Sequence, residues 1–174
     1  QKISSADTSI KQIPALFKSK LFRNSVRPGD SVADIGAGRF ADLASTELQK
    51  LGLTHYPFDP YSRPATAAED FAKFQSRQHP IATANNVLNV IAEPEARAQV
   101  IARAANALTP EGKAFFQIYE GNKSGVGAAT KKGFQNNLPA SAYVDEIKNY
   151  FLSFGFKNIQ RFDRGVQYHL LCNK

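Results

Sequence analysis

The chain has one cysteine, no methionine and no tryptophan among its 174 residues. A single cysteine, Cys172, excludes an internal disulfide framework and a cysteine-based zinc site. The histidines His55, His79 and His169 lack the spacing of metal ligands, so no metal is predicted. No apolar run approaches the length of a transmembrane helix, and the opening residues lack the apolar stretch of a signal peptide. The expectation is therefore a reducing, cytoplasmic setting without a membrane partner.

Acidic residues are fewer than basic ones. The chain has 22 Lys and Arg against 15 Asp and Glu, a net charge of +7 and a pI of about 9.6. This balance favours an anionic partner such as nucleic acid or a phosphorylated substrate. A basic surface without a specific partner is the alternative, because the cations are spread along the chain.

Residues 1–174 are expected to form one domain, since the length suits one core and not two. Helices are predicted near residues 8–22, 40–51, 66–75, 93–108 and 140–153. Strands are predicted near residues 31–36, 54–58, 80–85, 114–119, 156–162 and 166–172, the last two as a hairpin. This alternation predicts an α/β fold: a three-layer, Rossmann-like, doubly wound sheet, mostly parallel, with one antiparallel strand from the C-terminal hairpin.

The most informative stretch runs from Val32 to Gly38. An apolar strand carries Asp34 and then breaks into the turn Gly36-Ala37-Gly38. A strand, a glycine turn and a helix form a nucleotide-binding unit, in which glycines let the backbone approach the ligand. A carboxylate at this position would repel a pyrophosphate. Asp34 therefore favours a ligand that carries an ammonium or sulfonium group.

Two alternatives compete with that interpretation. Gly36-Ala37-Gly38-Arg39-Phe40-Ala41 also fits the dinucleotide fingerprint Gly-x-Gly-x-x-Ala, which would make the chain an NAD-dependent oxidoreductase. Asp34 and the small size of the chain argue against NAD. The glycine turn could also be purely structural.

Asp59 ends the second predicted strand and precedes Pro60. In doubly wound folds an acid at this position accepts hydrogen bonds from ribose hydroxyls. The alternative is that Asp59-Pro60 only begins a turn.

The segment from Asp34 to Gly38 resembles motif I of the class I S-adenosylmethionine-dependent methyltransferases. The predicted order of strands and helices also resembles that of this family. The resemblance implies S-adenosylmethionine as cofactor, and Phe58 and Pro60 beside its ribose and adenine. It also implies direct displacement of the methyl group to an N or O acceptor in a small molecule, protein or RNA. Between Asp59 and Ile81 there is room for only one crossover, so the family's third strand is expected to be missing, leaving about six strands.

A second resemblance is local. The segments Asn85–Ile91 and Tyr56–Tyr61 are similar to those of a small group of bacterial and phage-associated methyltransferases. Asn85 and Asn86 follow a predicted strand at the usual ligand crevice, where they would bind the cofactor's methionine part or the substrate. Their alternative role is to cap the next turn.

Three further features are assigned to the same side of the fold. Residues 1–28 are expected to form a helical segment over the cofactor, with Gln12 or Lys11 near the methionine carboxylate, and the alternative is a helix that only packs on the core. Tyr119 would orient the acceptor and Glu120 would act as a base, unless they simply end a strand. Residues 121–139 form either a substrate lid or an ordinary surface loop.

The absence of several motifs narrows the range of expected substrates. Asn85-Asn86-Val87-Leu88 lacks the prolines and the aromatic residue with which amino-methylating DNA enzymes hold a flipped base. Cys172 does not follow a proline as a Pro-Cys nucleophile would, and no phosphate-binding P-loop is present. The alternative to an active methyltransferase is a non-catalytic S-adenosylmethionine-binding module or a basic nucleic-acid-binding module. The acceptor itself is not predicted, because acceptor pockets are built from variable loops.

Overall fold

The computed structural model describes residues 11–131, 133–164 and 167–174. Its helices are α1 Ala15–Lys18, α2 Lys20–Ser25, α3 Ala41–Gln49, α4 Ala67–Gln75, α5 Pro94–Ala107, α6 Ala140–Lys148 and α7 Phe151–Phe154, with a 3-10 turn at Leu88–Val90. Its strands are β1 Ser31–Ile35, β2 Thr54–Phe58, β3 His79–Asn85, β4 Leu108–Tyr119, β5 Ala128–Thr130, β6 Gly133–Gln135, β7 Asn158–Arg164 and β8 Gln167–Asn173.

The main sheet has six strands in the order β2-β1-β3-β4-β8-β7. The pairs β1–β2, β1–β3 and β3–β4 are parallel, whereas β8 runs antiparallel to both β4 and β7. Between β2 and β3 the chain forms only the helix α4, so the predicted loss of the third strand is confirmed. β2 therefore lies at the edge of the sheet.

The core lies on both faces of the sheet because its central strands are apolar on both sides. All five residues of β1 are buried. Ala33 and Ile35 pack in one cluster with residues of α5 and α6, and Val32 packs in a second cluster with α1, α2 and α3. Parallel strands covered on both faces by helices give the predicted three layers.

The N-terminal segment differs from the single helix predicted near residues 8–22. Residues 11–28 contain α1 and α2, separated at Ser19. The Ser19 hydroxyl accepts a hydrogen bond from the Phe22 N–H and donates one to the Leu16 carbonyl. Because Ser19 caps the start of a second helix, a break at this residue is favoured over continuation of the first helix. Residues 1–10 of the predicted segment lie outside the described residues.

The segment 121–139 contains an antiparallel hairpin, β5–β6, that was not predicted from the sequence. Its end is fixed to the turn that follows β3. The Asn136 side-chain amide donates to the carbonyls of Leu88 and Ile91, and the Asn136 N–H donates to the Asn89 carbonyl. The helix predicted to run through residue 153 is interrupted between α6 and α7. Across the described ranges, no helix is long and apolar enough to cross a membrane.

Candidate active site

A cavity of about 320 Å³ opens where β1, β2 and β3 reach their carboxyl ends. Small-molecule sites in doubly wound folds lie at this edge of the sheet, with volumes of roughly 300–1,000 Å³. All ten residues that were assigned to the cofactor from the sequence line the cavity: Gln12, Asp34, Gly36, Ala37, Gly38, Phe58, Asp59, Pro60, Asn85 and Asn86.

The glycine turn leaves no room for a side chain at Gly36. Gly36 and Gly38 have φ of +68° and +77°, a region that L-residues with side chains avoid. A Cβ at Gly36 would lie 2.5 Å from Val87 Cγ2. The turn therefore brings bare backbone to the cavity wall, against the segment that follows β3.

The N–H groups of this turn are bonded within the protein. Gly36 and Ala37 donate to the Phe58 carbonyl at 2.8 and 3.4 Å, and Gly38 donates to Asp59 Oδ2 at 2.9 Å. The turn is thus tied to the end of β2 by its own donors. Those donors do not form an open cradle for a phosphate.

Asp59 links the glycine turn to the turn after β2. Its Oδ1 accepts from the N–H groups of Tyr61 and Ser62 at 3.1 and 2.9 Å, and its Oδ2 accepts from Gly38. Asp59 therefore begins a turn, as in the alternative interpretation. A carboxylate accepts about four hydrogen bonds, which leaves capacity for one donor from a ligand.

Asp34 lies at the cavity floor and is only 2% exposed. Its Oδ1 accepts from Thr83 Oγ1 at 2.8 Å and from Asn85 Nδ2 at 3.5 Å, and its Oδ2 accepts from His55 Nε2 at 2.8 Å. The sequence predicts a carboxylate free to pair with a cationic ligand. Burial and three side-chain partners instead hold the carboxylate within the protein, and by the count used for Asp59 one acceptor site remains on it.

His55 is itself held by Ser45, whose hydroxyl lies 2.6 Å from His55 Nδ1. An ionised carboxylate only accepts hydrogen bonds, so Nε2 carries the proton towards Asp34, and Nδ1 is the ring atom that bonds to Ser45. A serine, a histidine and an aspartate that are joined in this order by hydrogen bonds resemble the catalytic triad of enzymes with a serine nucleophile. However, the His55 side chain is 2% exposed and Ser45 does not line the cavity. The chain Ser45–His55–Asp34 therefore positions Asp34.

Asn85 and Asn86 line the cavity, and each has a buried side-chain oxygen without a partner in the described part of the chain. Among the described residues, neither Asn85 Oδ1 nor Asn86 Oδ1 has a hydrogen-bond partner, although both atoms are buried. Asn86 has φ of +54°, and its N–H donates to the Gln117 carbonyl at 2.9 Å. An unsatisfied buried acceptor costs about 1–3 kcal/mol. A ligand donor in the cavity would remove that cost.

The N-terminal segment packs on the same side of the sheet. Gln12 and Pro14 line the cavity, and the Leu16 N–H donates to Gln117 Oε1 at 2.8 Å. Leu16 and Phe17 are buried against the sheet. The bond from β4 to Leu16 thereby holds Gln12 near the cavity mouth.

Tyr119 and Glu120 do not reach the cavity lining. Glu120 is 3% exposed; its Oε1 accepts from the Ala140 N–H, and its Oε2 lies 3.3 Å from Lys123 Nζ. Ala140 is the first residue of α6, so the carboxylate stabilises a helix N-terminus. Tyr119 is exposed at the end of β4. The structure does not bring the two predicted catalytic residues together with the cofactor residues.

One wall of the cavity comes from α5, which was not assigned to the site from the sequence. Gln99, Val100 and Arg103 line it, and the Arg103 guanidinium lies over the Phe58 ring at 4.8 Å from its centroid. Phe58 also contacts the rings of Phe71 and Phe74. The Phe58 ring is therefore packed among core side chains, and it also lines the cavity.

Across the described ranges, no group of three or more His, Cys, Asp and Glu side chains is placed to hold a metal. Burial raises the pKa of the Cys172 thiol, which keeps this side chain protonated in the core.

The contact between the glycine turn and Val87 can be tested by substitution. Gly36→Ala places its Cβ against Val87 and forces a side chain into the positive-φ region, a cost of about 1–2 kcal/mol before the clash is added. In the Gly36→Ala/Val87→Ala double variant the clash is absent. We expect the free energy of unfolding, measured with denaturant, to show coupling of at least about 0.5 kcal/mol between the two positions. Strict additivity would contradict the contact.

Similarity to known proteins is found at the level of structure. No family model and no curated protein matches the sequence. Many solved structures match the fold. An O-methyltransferase family protein from Burkholderia thailandensis has a TM-score of 0.62 and 16% identity over 92% of this chain and 54% of its own. This chain thus spans about half of that protein's length.

Two other solved structures agree. The CcbJ methyltransferase from Streptomyces caelestis has a TM-score of 0.62 and 13% identity over 100% of this chain and 98% of its own. The 1,6-didemethyltoxoflavin-N1-methyltransferase from Burkholderia thailandensis, solved with S-adenosylhomocysteine, has a TM-score of 0.58 and 20% identity over 85% of this chain and 72% of its own. The six-stranded sheet and the similarity to these solved structures lead to the same conclusion. The chain has the fold of the class I S-adenosylmethionine-dependent methyltransferases.

Proposed function

We propose that this chain binds S-adenosylmethionine in the cavity at the ends of β1, β2 and β3, and transfers the methyl group to an N or O acceptor. One observation carries the proposal. The glycine turn, Asp59, Asn85 and Asn86 line a single cavity, and the side-chain oxygens of the two asparagines are buried without a hydrogen-bond partner among the residues that the structure describes. The S-adenosylhomocysteine bound to a protein of the same fold supports it.

The donors and acceptors of the cavity suit the parts of this cofactor. The free acceptor capacity of Asp59 suits a ribose hydroxyl. The oxygens of Asn85 and Asn86 suit the amino group of the methionine part, which is a strong donor. The Gln12 side-chain amide suits its carboxylate. In this assignment Asp34 acts through Asn85, whose Nδ2 it holds, and does not touch the cofactor.

A dinucleotide suits the cavity poorly. NAD requires N–H donors at the glycine turn for its pyrophosphate. Here those donors are occupied by Phe58 and Asp59, and the Asp59 carboxylate lies at hydrogen-bond distance from the Gly38 nitrogen. A pyrophosphate would have to break these bonds and approach a negative charge. The occupied N–H groups of the glycine turn thus add to the argument against NAD that Asp34 provided in the sequence.

Catalysis in this proposal consists of positioning. The cofactor, when bound, supplies a methyl group already activated by its positive sulfur. The glycine turn and Asp59 fix the nucleoside, and Asn85 and Asn86 fix the other end. Asp34 has both oxygens bonded, and Glu120 caps α6. We therefore assign neither residue as the base that removes a proton from the substrate. This favours a methyl acceptor whose N or O atom is nucleophilic without such a base.

The segment 121–139 is proposed to border the acceptor. Through Asn136 it is bonded to residues 88–91, next to the cavity-lining residues Val87 and Val90. It carries exposed Lys123 and Lys131, which suit an anionic acceptor. The acceptor is to be sought among small molecules, proteins and RNA, since the fold does not define it.

The first test is calorimetric titration of the protein with S-adenosylmethionine, S-adenosylhomocysteine and NAD. We expect dissociation constants on the order of micromolar for the first two ligands, about −8 kcal/mol, and no heat with NAD. Binding of NAD without S-adenosylhomocysteine would contradict the proposal. Binding of none of the three would mean that the glycine turn is structural.

The role of Asp59 is tested by changing the protein and the ligand together. Asp59→Asn removes the charge that accepts from a ribose hydroxyl. We expect this variant to lose most of the preference for S-adenosylhomocysteine over its 2′,3′-dideoxy analogue, a coupling of about 1.5–3 kcal/mol. Titrations of both ligands into both proteins give the value.

Asp42→Asn is the matched control for that test, because Asp42 is an exposed acid on α3 that does not line the cavity. Its ligand preference should equal that of the unmodified protein. If Asp59→Asn weakens both ligands by the same factor, Asp59 only holds the turn and the ribose assignment fails.

A further inference from the structure

Arg103 has an unusual setting for a cation. It lies on α5 and lines the cavity, half-buried. Its Cζ lies 4.8 Å from the centroid of the Phe58 ring and 5.6 Å from that of Phe71. The guanidinium thus lies against two aromatic rings, and Arg103 also lines the cavity.

Arg103 has no carboxylate partner in the part of the chain that the structure describes. None of the ion pairs there includes it, and burial lowers the pKa of its guanidinium, opposed only by the phenol of Tyr61. Arg97, on the same helix, shows the contrast, because its guanidinium is paired with Glu146 at 2.7 Å. A desolvated cation without a counter-charge costs stability, so ion pairing is not the role of Arg103.

We propose that Arg103 is the platform for the adenine base of the cofactor, a role that rests on the function proposed above. The base stacks on the guanidinium, and Phe58 supports the guanidinium from behind. Planar guanidinium groups stack on nucleobases and on aromatic rings, and lysine cannot replace them in this contact. The base thereby covers the cation with a π-system in place of a counter-ion.

The position of Arg103 fits the base end of the cofactor. Phe58 directly precedes Asp59, which is assigned to the ribose, and the base is attached to the ribose. Gln12, Asn85 and Asn86 are assigned to the methionine end. Since β2 is the edge strand of the described sheet, α5 supplies the wall next to Phe58. The helix therefore contributes a base contact through its own side chain.

The experiment measures three ligands by titration: adenosine, S-adenosylhomocysteine, and S-ribosylhomocysteine, which lacks the base. The proteins are the unmodified chain, Arg103→Met and Arg103→Lys. Arg27→Met is the matched control, since Arg27 is an exposed arginine in the turn before β1 and does not line the cavity. Thermal unfolding of each variant reports whether it is folded.

We expect Arg103→Met to weaken adenosine and S-adenosylhomocysteine by the same factor, about 5- to 30-fold, because both ligands lose the same stacking contact. The affinity for S-ribosylhomocysteine should not change. Arg103→Lys should show a loss for the same two ligands, because it keeps the charge and loses the plane. Arg27→Met should bind all three ligands as the unmodified chain does.

Several results would overturn the role of Arg103. Unchanged affinity for adenosine in Arg103→Met would remove the base contact. An equal loss for S-ribosylhomocysteine would indicate a general effect on the cavity. Full retention in Arg103→Lys, with binding that weakens steeply in salt, would indicate an anion site instead. If the unmodified chain binds none of the ligands, the failure lies with the proposed function. Arg103→Lys decides the matter if Arg103→Met does not fold.

Discussion

The buried carboxylate of Asp34 is the interaction on which the site depends. It accepts from Thr83 and Asn85 on β3 and from His55 on β2, while it belongs itself to β1. One side chain therefore links three neighbouring parallel strands. A buried charge is tolerated only when it is paired and hydrogen-bonded, and here the partners come from two neighbouring strands. These hydrogen bonds hold the floor of the cavity together.

The glycine turn depends on that floor and on Asp59. With its N–H groups bonded to the end of β2, the turn cannot act as a phosphate cradle. Among the residues at the strand ends that line the cavity, acceptor capacity remains on Asp59, Asn85 and Asn86. A ligand with hydroxyl and amino donors matches such a surface, and a polyanion does not. The same turn that suggested two nucleotide cofactors in the sequence therefore favours one of them in three dimensions.

Much of the fold and of the cavity was predictable from sequence, because strand and helix periods and the glycine turn are local signals. The missing strand followed from the short spacing between Asp59 and Ile81. The partners of Asp34 were not predictable, since Thr83 faces it only through the register of β1 and β3. The role of Glu120 as a helix cap and the position of Arg103 likewise depend on how separate elements pack. Local patterns located the cavity, and long-range contacts decided which of its groups are free.

The central claim is that the ligand occupies the cavity at the ends of β1, β2 and β3. Titration of ¹⁵N-labelled protein with S-adenosylhomocysteine, followed by amide NMR, tests it most directly. The account predicts that the backbone amides of Gly36, Gly38 and Asn86 and the side-chain amides of Asn85 and Asn86 shift together and saturate at one dissociation constant. Shifts confined to the β5–β6 hairpin, with these signals unchanged at saturation, would contradict it.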